Sequence, residues 1–256
     1  MEPATKILVV GATGRTGSAT ISALASLPCA PAAAILALTR SPSSPKAQSR
    51  VPHVVLSSVH RGGDEASWGN PTAVPHFTAK HRAELYLRDR TRGTATRWTI
   101  LRPTGFLDNY GPPSSAGTLM GPLVAGLWAT MPPGRTMQLV SARDIGLFAA
   151  RALADGPGGE WAHRALGLAG DDISLTEADE VFRRVVGRAM PRTWAGVGTV
   201  VRWAFEDAGR SMEWFETEGY KADVGRLREM EPRLQTWETW LRESSGWVKG
   251  GTEDGE

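Results

Sequence analysis

The chain has 256 residues, of which 41% are hydrophobic and 22% are charged, as is usual for a soluble globular protein. Its formal net charge of +2 is too small to indicate a nucleic-acid or membrane partner. With one cysteine, Cys29, no intrachain disulfide is possible, and no apolar run approaches the ~20 residues of a membrane span.

These features, together with a start at Met1 that does not resemble a signal peptide, predict a cytoplasmic protein. A lone cysteine is typical of a reducing compartment. We predict no metal site.

The strongest motif is a glycine-rich turn near the N-terminus. Residues 6–10 form an apolar, β-branched run typical of a buried strand, and residues 18–27 carry apolar side chains at helical spacing. The turn between them consists of Gly11, Ala12, Thr13, Gly14, Arg15, Thr16 and Gly17. Glycines let the backbone approach a phosphate closely, and the N-terminus of a helix offers N–H groups and partial positive charge. The pattern predicts a pyrophosphate site; the alternative is a plain strand-to-helix turn rich in small residues.

A second strand, predicted over residues 33–39, is followed by Arg40. Strand, helix and strand within about 40 residues make a βαβ unit with parallel strands. In dinucleotide-binding folds an acidic residue at this place binds the ribose 2′-hydroxyl, whereas an arginine accommodates a 2′-phosphate. Arg40 therefore favours NADP over NAD, unless it is only a solvent-facing arginine at a strand end.

The rest of the chain continues the α/β pattern. Further strands are predicted over residues 53–58, 97–103, 137–140 and 164–169. Further helices are predicted over residues 76–87, 144–154 and 174–187. Asp144 is expected to cap one helix, and Ser174 with Glu177 forms a capping box for another. Phe77, Lys80 and Glu84 fall on one helix face.

Tryptophans are concentrated at the C-terminal end of the chain. Six of the ten follow Pro191: Trp194, Trp203, Trp214, Trp237, Trp240 and Trp247. We expect these rings to pack a small helical lobe; the alternative is that Trp194, Trp203 or Trp214 lines an aromatic substrate pocket. Residues 250–256 are typical of a disordered end.

Together these motifs resemble the NmrA-like family, a branch of the atypical short-chain dehydrogenases. The resemblance rests on residues 11–17, Arg40, 54–58, 76–80, 101–106, 142–146, 214–223 and 237–241. It implies an α/β fold in which residues 1–160 form a Rossmann-like NADP(H)-binding domain. Residues 161–249 would form a substrate lobe, to which residues 105–135 contribute. Family members include redox-sensing regulators, reductases and helpers in fungal natural-product pathways.

The resemblance also implies roles for individual residues. Lys80 would bind the nicotinamide ribose, and Phe106 would border the nicotinamide pocket, with Ser57 and Gly105 also on the cofactor. Ordinary short-chain dehydrogenases have a Tyr-x-x-x-Lys pair in which the tyrosine protonates the substrate carbonyl. Here His76 takes the tyrosine's place, and histidine is able to act as a general acid.

The chain departs from the family between Arg40 and Val51, where only ten residues stand. The family has two strands and two helices there, and a parallel crossover alone needs a dozen residues or more. The third and fourth strands of the sheet are therefore missing, and the strand near Val54 would have to pair directly with the first. Either the cofactor binds weakly and the protein works without hydride transfer, or the sequence is a splice or gene-model truncation.

Three functions follow. The first is an NADP-dependent oxidoreductase acting on a hydrophobic or aromatic small molecule, plausible in secondary-metabolite biosynthesis. The second is a non-catalytic NADP-sensing regulator with a protein partner, favoured by the missing tyrosine. The third is a cofactor-independent isomerase or cyclase, favoured by the missing strands.

Overall fold

A computed structural model describes residues 5–10, 12, 14–27, 33–38, 52–112 and 120–248. Gly11, Thr13, Cys29, Arg40, the connection 41–51 and the tail 250–256 lie outside these residues. The strands are β1 (Thr5–Val10), β2 (Ala33–Leu38), β3 (His53–Ser57), β4 (Arg97–Pro103), β5 (Gly105–Phe106), β6 (Thr136–Val140), β7 (Arg164–Leu168) and β8 (Asp171–Ser174).

The helices alternate with these strands in the first part of the chain and follow one another at its end. They are α1 (Arg15–Ala25), α2 (Ala66–Gly69), α3 (Pro75–Thr91), α4 (Met120–Trp128), α5 (Ala142–Asp155), α6 (Leu175–Val186), α7 (Ala195–Ala204), α8 (Glu206–Thr217), α9 (Val224–Met230) and α10 (Trp237–Glu243), with a 3₁₀ turn at Leu107–Tyr110. The fold is α/β with parallel strand pairing, as predicted.

The chain divides into two compact units. The first comprises Met1–Ser58, Arg82–Arg102 and Ala142–Leu166, and the second comprises Val59–His81, Pro103–Ser141 and Gly167–Glu256.

In the first unit the strands form two separate sheets. β1 pairs with β2 in parallel, and β3 pairs with β4 in a sheet of order β3-β4-β7. The expectation that the strand near Val54 pairs directly with the first strand is wrong, because within the described residues β3 pairs with β4 and not with β1. In a Rossmann sheet the fourth strand pairs with the first; among the described residues the strand partner of β1 is β2.

Side-chain packing, not backbone pairing, connects these two sheets. Helix α5 packs against α1 and also contacts β3. At Gly146 the two helices approach so closely that a Cβ atom would lie 2.5 Å from the backbone of Ala19. Ala150 of α5 joins the apolar cluster of Ile7 and Val9 under β1. A single helix therefore holds β1 and β3 in place without a shared sheet.

A buried ion pair lies at the carboxyl ends of β3 and β4. The guanidinium of Arg102 donates to the Glu84 carboxylate at 2.8 Å, and both side chains are 0% exposed. The Ser58 hydroxyl also donates to Glu84. This arrangement joins helix α3 to the ends of both strands.

The second unit contains a mixed sheet of order β5-β6-β8 and most of the helices. β5 runs parallel to β6, and β8 runs antiparallel to it. Strand β8 was not predicted, since residues 164–169 were expected to be the last strand. Its four residues begin with two aspartates, so the pairing with β6 rather than local apolar pattern makes them a strand.

The helix termini test two sequence-based expectations. The capping box is confirmed: the Glu177 backbone N–H donates to the Ser174 hydroxyl, and Glu177 accepts from the Ser174 backbone N–H. Gly187 ends the same helix at φ 81°, a conformation that favours glycine. The predicted cap at Asp144 is wrong, because α5 begins two residues earlier, at Ala142, and Asp144 lies in its first turn.

Tryptophans form much of the core of the second unit. Trp128, Trp237 and Trp240 are buried with Phe182 and Tyr110, and the Trp237 indole N–H donates to a backbone carbonyl at 3.0 Å. Core packing, the first of the two expectations for the tryptophans after Pro191, thus holds for Trp214, Trp237 and Trp240, which are buried. It fails for Trp194 and Trp203, which are exposed.

The buried ion pair gives a first prediction. Glu84→Ala leaves a buried guanidinium uncompensated, and we expect it to lower the free energy of unfolding by about 3–5 kcal/mol. The double variant Glu84→Met/Arg102→Met should lose less stability than Glu84→Met and Arg102→Met lose in sum, because neither charge is left buried alone in the double variant. Urea denaturation measures these values. The matched control is Asp89→Asn at an exposed ion pair with Arg88, expected to change stability by less than about 1 kcal/mol. Strict additivity in the double variant would contradict the pairing.

His53 gives a second prediction, on pH. Its Nε2 lies 2.8 Å from the Thr99 hydroxyl, which itself donates to the Trp161 carbonyl. The Nε2 atom of His53 is therefore the donor in this hydrogen bond. Burial lowers the pKa of His53, against an opposing contribution from Asp155, and His163 lowers it further.

Because the folded-state pKa lies below the ordinary 6.5, the unfolded chain takes up this proton first as the pH falls. We expect folding stability to decrease as the pH drops from about 6.5 downward, and His53→Gln to show a flatter decrease. Thermal unfolding between pH 7.5 and pH 5.5, about one unit either side of the ordinary histidine value, measures the difference. Parallel profiles for both proteins would remove His53 as the cause.

Candidate functional site

The glycine turn is placed in the first unit between β1 and α1, as the sequence predicts. Gly14 is the N-cap residue of α1, with φ −80° and ψ 165°, and it brings no side chain to the helix end. The first turn of α1 carries no acidic residue. Ala12 is buried against Ile7 and Leu24. The end of α1 is thus a small-residue turn with the positive end of a helix dipole, which suits an anion.

The last three residues of the turn lie in the first turn of α1. Arg15, Thr16 and Gly17 are the first residues of this helix, so their amides lie at its N-terminal end. The Ser18 amide makes the first helical hydrogen bond, to the Gly14 carbonyl at 2.9 Å.

Ser57 is the last residue of β3 and pairs with Leu101 of β4. Its neighbour Ser58, which sequence reasoning did not single out, donates its backbone N–H to the Leu101 carbonyl at 2.7 Å. The strand therefore stays paired up to its carboxyl end, the end at which open α/β sheets bind ligands.

In the second unit His76 and Lys80 lie one turn apart near the start of α3. The His76 Nδ1 atom is 2.8 Å from the Asp207 carboxylate, and both side chains are about half exposed. Lys80 is exposed, so it lies at the rim of the helix and not on the buried face shared by Phe77 and Glu84.

Asp207 is the residue that sequence reasoning missed. It stands 131 positions from His76, at the start of α8, and no local pattern connects the two. The residue next to His76 that connects the two helices is Phe77. That ring packs edge-on against Trp214 of α8 at 5.2 Å between ring centroids and so brings the two helices together.

Gly105 and Phe106 form β5 and pair with Leu139 and Val140 of β6. A Cβ atom on Gly105 would lie 2.9 Å from the Leu139 side chain. Glycine at this position is therefore explained by packing against β6. Phe106 is partly exposed.

The predicted residues thus divide between the two units. Ala12, Gly14, Arg15, Thr16, Gly17 and Ser57 belong to the first, and His76, Lys80, Gly105 and Phe106 belong to the second. The second unit also has a small cavity whose lining includes Arg135, Gln138, Asp172 and Lys221. This lining is mostly polar. Among the described residues no group of three or more His, Cys, Asp or Glu side chains is placed to hold a metal ion.

Comparison with known proteins decides the family. The family model described as the NmrA-like family matches residues 46–241. The chain belongs to the NmrA-like family. The match confirms the resemblance stated above, although it begins after the glycine turn and Arg40. No curated protein matches the chain.

Solved structures of similar fold cover nearly the whole chain. NmrA, described as a negative transcriptional regulator in complex with NAD, is 14% identical with a TM-score of 0.63, over 96% of this chain and 96% of its own. An NADPH-dependent quinone oxidoreductase from Escherichia coli, complexed with NADPH, is 15% identical with a TM-score of 0.63, over 92% and 98%. A triphenylmethane reductase from Citrobacter sp., complexed with NADP(H), is 14% identical with a TM-score of 0.60, over 93% and 99%.

At these identities the comparisons establish the fold. The described part of the chain contains no helix that is both long and apolar enough to cross a membrane.

Proposed function

We propose that this NmrA-like protein is an NADP(H)-dependent oxidoreductase acting on a hydrophobic, aromatic small molecule. The observation that carries the proposal is the strand, small-residue turn and helix with Gly14 at the N-cap of α1. Two proteins of the same fold support it: one is described as an NADPH-dependent quinone oxidoreductase and the other as a triphenylmethane reductase with NADP(H). A role in secondary-metabolite biosynthesis in the cytoplasm belongs to the same proposal.

The donors present fit a dinucleotide phosphate. Gly14 brings no side chain into the turn, and the first turn of α1 has no acidic residue to repel an anion. We assign Gly11 to Gly17 to the pyrophosphate and Arg40 to the 2′-phosphate. Bound NADPH would supply a hydride.

The second unit offers the groups for the substrate end. Lys80, exposed on α3, is assigned to the nicotinamide ribose, with Gly105 and Phe106 as further cofactor-binding residues. Ser57 of the first unit is assigned to the cofactor as well. Asp207 accepts from Nδ1–H of His76 and orients the ring. In the imidazolium form the ring also carries a proton on Nε2, which it would donate to the substrate oxygen and so return to the neutral form. The proposed substrate lobe is residues 161–249 with a contribution from 105–135.

Two other functions have an observation in their favour. A non-catalytic NADP-sensing regulator is favoured by histidine at the tyrosine position, and NmrA itself is described as a negative transcriptional regulator in complex with NADP. A cofactor-independent isomerase or cyclase is favoured by the break between the β1-β2 sheet and the β3-β4-β7 sheet.

Cofactor binding is the first test. We expect NADPH to bind more tightly than NADH, because Arg40 supplies a charge-assisted hydrogen bond to the 2′-phosphate. Arg40→Ala should raise the Kd for NADPH by about 10-fold to 100-fold and leave NADH nearly unchanged. Isothermal titration measures both, with Arg92→Ala, a largely exposed arginine of the same unit, as the matched control. Equal losses for the two cofactors would remove the 2′-phosphate role. Absence of binding at millimolar NADPH would leave only the isomerase or cyclase.

Turnover on a panel of quinones and aromatic ketones with NADPH is the second test. His76→Gln removes the proposed acid, and we expect kcat to fall by about 100-fold or more with the Kd for NADPH unchanged. Asp207→Asn should reduce kcat less, since it only loosens the ring. Asp89→Asn, an exposed aspartate on α3, is its control and should have no effect. NADPH binding without turnover on any substrate would favour the regulator.

A further inference from the structure

The outward face of helix α7 is apolar and exposed. Trp194 and Trp203 are 83% and 88% exposed, and Val197, Val200 and Phe205 also face solvent. Exposed apolar side chains are common singly, but a contiguous group containing three aromatic rings marks an interaction site. We call these five residues the α7 patch.

Helix α7 is held firmly on its opposite face. At Gly198 it approaches α4 so closely that a Cβ atom would lie 2.5 Å from the Gly126 carbonyl oxygen. Arg202, the one charged residue between Trp194 and Phe205, is turned away from the patch and binds Glu216 of α8 at 2.8 Å. The apolar face therefore belongs to a packed helix and is not the inner face of a helix that has come loose.

The indole of Trp194 also lies on the outward face. Trp194 precedes the helix as its N-cap residue, and its ring lies over Gly196, where a Cβ atom would meet the ring at 2.9 Å. The patch thus has an indole towards each end and Val197 and Val200 between them.

The charges that flank the patch are of opposite sign at its two ends. Exposed Arg188 and Arg192 precede the helix, and exposed Glu206 and Asp207 follow it. A second copy of α7 packed antiparallel would place its basic end against the acidic end of the first. The same arrangement places Trp194 of one copy near Trp203 of the other. Each copy then makes the same contacts, as an isologous two-fold interface requires.

The area of the α7 patch also fits a second copy of the chain. A large aromatic side chain buries about 150–250 Å², so three such rings supply roughly 450–750 Å², which is more than half of the ~800 Å² per partner of a standard interface. An anionic membrane surface fits less well, because a helix lying on it carries basic residues along its polar boundary, whereas Glu206 and Asp207 would be repelled.

We propose that the α7 patch is a homodimer interface in which two α7 helices pack antiparallel about a two-fold axis. The interface is independent of the proposed enzymatic function, since it needs neither cofactor nor substrate.

The test is the oligomeric state of the whole chain. We expect sedimentation equilibrium from about 1 to about 100 µM to show a dimer for the natural sequence. Val200→Glu and Trp203→Glu should each weaken association at least tenfold, with unchanged circular dichroism. Tyr86→Glu, at an exposed aromatic residue outside the patch, is the matched control and should remain dimeric.

Charge exchange tests the antiparallel arrangement. Arg192→Glu and Glu206→Arg should each weaken the dimer, and the double variant should restore it, because the exchanged charges again face each other across the two-fold axis. A natural sequence that is monomeric at the highest concentration, a dimer unaffected by Val200→Glu, or a double variant weaker than both singles would overturn the proposal. So would a monomer that binds vesicles of phosphatidylcholine and phosphatidylglycerol through Trp203.

Discussion

The buried pair of Glu84 and Arg102 is the constraint on which the first unit depends. Both side chains are fully buried, and burying two charges costs more than a packed apolar pair of the same size would. What the pair provides is position. It joins helix α3 to the ends of β3 and β4, and Ser58 adds a third point of attachment. The carboxyl end of β3, next to Ser57, is therefore held by the bond from the Ser58 hydroxyl to Glu84 and by the bond from the Ser58 amide to the Leu101 carbonyl.

Side-chain packing, rather than strand pairing, holds the glycine-rich turn of the first unit. The turn at Gly14 is held by β1, by Leu24 of α1 and by Ala150 of α5, which form one apolar cluster. None of these contacts comes from the third and fourth strands of a Rossmann sheet. The geometry of the turn is thus separable from the completeness of the sheet. The small-residue turn before α1 therefore keeps its packing without contacts from those strands.

Features set by neighbouring residues were predictable from the sequence. The capping box at Ser174 and the end of the same helix at Gly187 are predicted correctly, because each depends only on residues that are close together in the sequence. Strand β8 was missed because its aspartates suit a strand only when β6 lies beside it. The predicted helix start at Asp144 is two residues too late, because Ala142 carries no signal for a helix start. The partnership of His76 with Asp207 depends on the packing of α3 against α8, and no spacing in the sequence encodes it. Trp203 looks the same in sequence as the buried Trp237, so only the structure separates patch from core.

The link between α7 and α8 lies next to both the proposed α7 interface and the carboxylate that binds the proposed acid, His76. Phe205 ends α7 and is at the same time the N-cap residue of α8, with its backbone N–H bound to the Val201 carbonyl at 3.0 Å. Asp207 follows two residues later and orients His76. A guanidinium that a second copy places at Glu206 would lie one residue from the carboxylate that holds the proposed acid. The residues that flank the α7 patch and the carboxylate that binds His76 therefore lie in one short segment of the chain, although neither role requires the other.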